Sequence, residues 1–112
     1  MNVSHQPMAG NITLVQLDGR LDARSSVQVK GVLAELIEAN QKKIILDLQN
    51  VPFIDSSGLV ALVSGLRLAN EKHGRIVLCG AQSQAQIVFR LTMLDRVFSI
   101  HPTPIEARQS LL

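Results

Sequence analysis

Tryptophan and tyrosine are absent from this chain of 112 residues, and three phenylalanines are its only aromatic rings of that kind. Single-stranded nucleic acids are commonly bound by stacking bases on such rings, so the composition argues against a nucleic-acid partner. Cysteine occurs once, which excludes an internal disulfide and any multi-cysteine zinc site. That residue, Cys79, lies in the apolar stretch "RIVLCGA", the setting of a buried, inert thiol rather than a nucleophile. No apolar run approaches the roughly 20 residues needed to cross a bilayer. The opening "MNVSHQPMAGNITL" lacks the charged and apolar regions of a secretory signal. The cytoplasm is therefore the expected compartment, and no membrane partner is expected.

Charge of either sign is also sparse. Eleven Lys and Arg against nine Asp and Glu leave a net +2, and Lys42-Lys43 is the only adjacent basic pair. Dispersed cations of this kind describe a solvated surface, not a phosphate-tracking stripe. The three histidines, His5, His73 and His101, are too far apart for metal-ligand spacing. Neither G-x-x-x-x-G-K-[ST] nor G-x-G-x-x-G occurs, so those nucleotide-binding devices are missing. No cofactor or metal is expected.

What the chain does have is aliphatic content in regular patterns. With 46% hydrophobic and 18% charged residues it can bury a core, and its length suits one domain, residues 1–112. "NITLVQLDGRLD" alternates Ile12, Leu14 and Leu17 with polar residues before the Asp18-Gly19 turn, predicting a strand over Ile12–Leu17. A shorter edge strand containing Pro7 is expected around Val3–Gln6, joined through Ala9-Gly10-Asn11. Val29, Val32, Leu33, Leu36 and Ile37 recur at helical spacing, with Ser25 or Ser26 as the cap and Asn40 as a left-handed stop. Ile44–Leu48 reads as a strand buried on both faces.

Leu59, Leu62, Val63 and Leu66 form the stripe of a second helix, with Gly74 at its C′ position and Gly65 marking close packing. Arg75–Cys79 is another buried strand, and Ile87, Val88, Leu91 and Leu94 mark a third helix. "RVFSIHP" offers a last short strand. Thr103, Pro104 and Glu106 supply the N-cap, N1 and N3 signals of a final helix. Strands alternating with helices imply an α/β fold: a mixed sheet of four to five mostly parallel strands with about four helices packed on it.

The heptapeptide "FIDSSGL", Phe53–Leu59, stands between the doubly buried strand and the second helix. In an open α/β sheet that junction lies at the carboxyl end of the strands, where such folds place their sites. A helix start has unpaired N–H groups and favours negative charge, so Ser56 or Ser57 can serve simply as caps. Capping is the plainer account of the turn taken alone. Phosphorylation is compatible with it if Ser57 caps and Ser56 points outward. A phosphate there would add a charge of about −1.5 to −2, meeting donors from the helix and repulsion from Asp55 and Asp22. A hydrolase is the weakest expectation: Ile54 breaks the G-x-S-x-G elbow, and Ser56, Asp95 and His101 match only a chain order. Asp18, Asp22 and Asp55 can gather at one end of the sheet, where a solvated acidic rim is the simplest outcome.

Four segments, "LDGRLDARSS", "IILDLQNVPFIDSSGLVALV", "GRIVLCGA" and "VFRLTMLDRVF", resemble the STAS-domain family in order and spacing, specifically its anti-sigma factor antagonists. The resemblance implies a single-domain STAS fold and a regulatory, non-enzymatic binding module in a partner-switching system that acts on transcription. It implies an anti-sigma factor that is also a serine kinase as partner, and a phosphoserine phosphatase that resets the switch. It carries the acceptor role to Ser56, the first serine of D-S-S-G, and the acidic residue near the acceptor to Asp22. Asp55, Ser57, Gly58 and Met93 complete the expected switch surface. Relatives often carry a small residue, commonly Gly, where Met93 stands, and often Gly where Val60 stands. The alternative within the same family is a non-switching scaffold or transport-complex subunit in which Ser56 is only a cap.

Overall fold

The computed structural model describes residues 1–112, and its sheet has five strands in chain order, β1-β2-β3-β4-β5. β1 (Asn2–Met8) and β2 (Ile12–Asp18) form an antiparallel hairpin. β2, β3 (Lys43–Asn50), β4 (Arg75–Cys79) and the two-residue β5 (Ile100–His101) run parallel. Between them come α1 (Ala23–Glu38), α2 (Ser56–Glu71), α3 (Ser83–Leu91), a 3₁₀ turn (Leu94–Arg96) and, after β5, α4 (Pro104–Leu111). Pro7 lies on the edge strand, where its missing N–H leaves no ladder bond unmade in the sheet interior.

Alternation along the central strands divides the core in two, because successive strand residues face opposite ways. Ile44, Leu46 and Leu48 of β3, with Ile76 and Leu78 of β4, pack under α1, α2 and α3 against Leu33, Leu62 and Phe89. Ile45, Val77 and Cys79 face the other way and are covered by Ala107 and Leu111 of α4. Both central strands are therefore buried on both faces, as their unbroken aliphatic runs predict.

Three local expectations are corrected. The cap of α1 is Asp22, not Ser25 or Ser26: Ser25 is the N3 residue of a capping box and Ser26 is buried one residue further on. The left-handed residue after α2 is His73 (φ 62°), while Gly74 closes the turn through its N–H to Ala69 O at 2.7 Å. The buried stripe of α2 runs through Gly58, Ala61, Leu62, Gly65 and Ala69, leaving Leu59, Val63 and Leu66 half-buried at its margin. Small residues occupy that face where neighbours come close. A Cβ on Gly65 would stand 2.6 Å from Leu33 Cδ1 of α1, so a larger residue there displaces the Leu33 side chain.

Candidate functional site

Past the end of β3 the chain makes one more sheet contact before turning into α2. Leu21 and Ile54 form a parallel bridge: Leu21 N donates to Phe53 O (2.9 Å), and Asp55 N donates to Leu21 O (3.1 Å). On the opposite edge the side-chain amide of Gln84 takes the place of a strand. Its Oε1 accepts from Ile54 N at 2.9 Å and its Nε2 donates to Ile54 O at 3.0 Å. Every backbone polar group of residue 54 is thus paired, and Ile54 itself is buried. The approach to α2 is held from both sides by bonds to residues 30 or more positions away.

Asp55 then caps α2, in extended backbone (φ −103°, ψ −173°), its carboxylate accepting from Gly58 N at 2.9 Å. This corrects the expectation that Ser56 or Ser57 caps the helix. Ser56 is the first helical residue and exposed; Ser57 is second and half-buried. Gly58 is required by contact: a Cβ there would lie 2.5 Å from Leu21 O. The cap is a carboxylate, and the exposed hydroxyl of Ser56 is left free of that duty at the positive end of a sixteen-residue helix.

Asp22 stands one residue beyond the same bridge on the neighbouring segment, so the two caps, Asp22 and Asp55, sit abreast. Its carboxylate accepts from Arg24 N (3.1 Å) and Ser25 N (3.3 Å). The Ser25 hydroxyl accepts from Asp22 N (2.9 Å) and donates to Arg20 O (2.7 Å). The Ser25 backbone N–H holds the Asp22 carboxyl below its ordinary value, aided by the Arg24 N–H, the Ser25 hydroxyl and the charge of Arg20, against a partial opposing effect of burial. Arg20 lies with its guanidinium carbon 4.2 Å from the centroid of the Phe53 ring. The structure thus brings together Asp22, Asp55, Ser56, Ser57 and Gly58, and adds Arg20, Phe53 and Gln84, which the sequence reading did not single out.

Met93 stands at the joint between α3 and the 3₁₀ turn. Gln84, in the first turn of α3, bonds to Ile54 ahead of α2, whereas Met93 follows the last turn of α3. It is 60% exposed and left-handed (φ 61°, ψ 16°), and no hydrogen bond joins it to residues 55–58. A left-handed backbone is the conformation that glycine adopts without steric cost, a physical reason for a small residue to be favoured there. Leu91 and Val97 beside it are also exposed, and Val97 borders an open groove of about 310 Å³ with Val63, Leu66 and Arg67 of α2.

The residues of the hydrolase alternative do not assemble. The His101 ring is hydrogen-bonded to Ser99 Oγ at 2.8 Å on β5, two strands from the end of β3. Asp95 lies in the 3₁₀ turn. Asp18, Asp22 and Asp55 form no cluster at metal-ligand distance. Cys79 is buried, and that burial, with the charge of Asp47 beside it, pushes the thiol up to about 12. No helix is long and apolar enough to cross a membrane.

Fold and site together define a small α/β domain that presents an exposed serine at the start of a helix whose approach is hydrogen-bonded from both sides. The sequence profile of the STAS domain matches residues 6–107, and the chain belongs to that family. The anti-sigma F factor antagonist of Paenibacillus polymyxa is 29% identical over 101 residues, covering 89% of this chain and 86% of that protein. The Thermotoga maritima protein TM1081 has the same fold, with a TM-score of 0.90 at 25% identity over 96% of this chain and 92% of that one. The Bacillus cell-fate determinant SpoIIAA, solved in its phosphorylated form, shares the fold at 20% identity, with a TM-score of 0.77 over 99% of this chain and 100% of that one.

Proposed function

We propose that this protein is an anti-sigma factor antagonist whose binding is switched off by phosphorylation of Ser56. The observation that carries the proposal is the division of labour at the start of α2: Asp55 caps, and the Ser56 hydroxyl is exposed and uncommitted. If Ser56 were only a cap, its oxygen would accept from the second or third helical N–H, a place that Asp55 occupies. The names of the relatives support an anti-sigma factor as the partner, and the family resemblance adds that this partner is a serine kinase. In the transfer, the Ser56 Oγ–phosphorus bond forms as the bond from the γ-phosphorus to ADP breaks, and the hydroxyl proton passes to a base on the kinase. A phosphatase reverses the modification by hydrolysis. The protein itself catalyses neither step.

The turn is suited to the role because the modification need not disturb the fold. The bridge to Leu21 and the Gln84 amide fix the backbone independently of Ser56, and the helix start accommodates negative charge. What changes is the surface, where about −1.5 to −2 charges appear beside Asp55 and Asp22. A partner shaped for a neutral hydroxyl must then desolvate and oppose that charge. The experiment is co-purification from native cells with intact-mass measurement of the antagonist. A bound kinase with the unmodified mass, and one phosphate in the unbound pool, is the expected result. A pool free of phosphate under every growth condition, with a non-kinase partner, overturns the proposal.

A further inference from the structure

We propose that Arg20 is the intramolecular counterion of a phosphate on Ser56, leaving the Phe53 ring to pair with it when the serine is modified. The inference rests on Ser56 as the acceptor and deepens that reading. The bridge between Leu21 and Ile54 sets Arg20 abreast of Phe53 and Asp22 abreast of Asp55, so the guanidinium is anchored on the residue three positions before Ser56. Arg20 is exposed, and its guanidinium carbon lies over the Phe53 ring, 4.2 Å from the centroid. A contact through the ring's π face consumes no hydrogen-bond donor, so the guanidinium N–H groups stay available to an anion.

The acidic groups nearby do not claim those donors. Asp22 is turned to the Arg24 and Ser25 amides, and Asp55 to the Gly58 amide. A cation–π contact at an exposed site is weak, whereas a bidentate arginine–phosphate pair is charge-assisted and geometrically matched, so the modified serine outcompetes the ring. The anions at this end of the sheet are Asp18, Asp22 and Asp55, and the cations are Arg20, Arg24 and the amino terminus of Met1. Arg24 starts from the first turn of α1, without the anchor on Phe53.

Phosphoserine installed at position 56 by genetic-code expansion separates this inference from the existence of a kinase. Phosphorus NMR then follows the second ionisation of the phosphate, ordinarily near pH 6. A guanidinium in contact favours the dianion and lowers that value, so Arg20→Gln raises it by about one unit, a tenfold change in proton affinity. Arg20→Lys gives an intermediate value, because it keeps the charge and loses the fork. Arg24→Gln moves the titration less than Arg20→Gln. Equal values in the parent and in Arg20→Gln, or a larger shift from Arg24→Gln, overturn the assignment. If native-cell protein carries no phosphate while this titration behaves as described, the function proposed above fails and the contact stands.

Discussion

Two carboxylates at equivalent places begin two helices, and the task of the second explains why the serine that follows it is free. Asp22 and Asp55 each accept backbone N–H groups at the start of α1 and α2, one residue beyond a shared bridge. The sequence made the serines the caps because Ser and Asp serve equally well at N-cap. Asp22 and Ser25 differ by less than one helical turn, so only the position at which the helix begins separates them. The Asp22 carboxyl is lowered in the folded protein, so its stabilisation is fully present above the unfolded value and is lost as pH falls through the folded one. The advantage of the parent protein over Asp22→Asn in urea denaturation at about pH 7 should therefore shrink on titration to about pH 3. An advantage of constant size across that range contradicts the role given to Asp22. Gln84 carried no local signal: a glutamine thirty residues from its acceptor fits no short motif.

At the scale of elements, periodicity was a good guide to order and a poorer one to rotation. The strands β2, β3 and β4 and the helices α1 and α2 lie where alternation and helical spacing place them, and α4 where its capping signals do. The expected stripe of α3 is corrected: Ala85 and Phe89 are its buried residues, Ile87 and Leu91 are exposed, and Leu94 lies in the 3₁₀ turn. Spacing marks the large aliphatics of α2 but not its closest contacts: Leu21 and Ile54 reserve the Gly58 position, and Leu33 of α1 reserves that of Gly65. Leu62 is the one large side chain of α2 that is fully buried. Leu62→Ala should cost about 2–5 kcal/mol; an unmoved denaturation midpoint means that α2 does not pack as described. Met93 belongs to the joint between α3 and the 3₁₀ turn, and its left-handed backbone makes Met93→Gly sterically favourable. That variant should keep the thermal midpoint of the parent within a few degrees and weaken partner binding, because an exposed, adaptable apolar side chain is removed. A large loss of stability with unchanged affinity assigns Met93 to packing instead.

For the whole molecule, the parallel topology is what turns a local sequence into a surface. β2 and β3 end side by side, so the helices that follow them begin side by side, and the chain around Arg20–Asp22 meets the chain around Phe53–Ser56 more than thirty residues away. The D-S-S-G motif and the family resemblance single out Ser56 from the sequence alone. Its surroundings, Arg20, Phe53 and Gln84, became legible only when strand order brought distant segments together. From this surface the outer face of α2 continues through the exposed Val60 toward the groove bordered by Val97. The central claim is that this continuous face binds with Ser56 neutral and releases with Ser56 charged. Titration calorimetry against the co-purified kinase tests it most directly, comparing the parent, Ser56→Ala, Ser56→Asp and the protein bearing phosphoserine at position 56. The account predicts tight binding by the first two and binding at least about tenfold weaker, a loss of roughly 1.4 kcal/mol, for the charged pair, all four remaining folded. Equal affinities across the set, or phosphate placed by the kinase on Ser57 instead, contradict it.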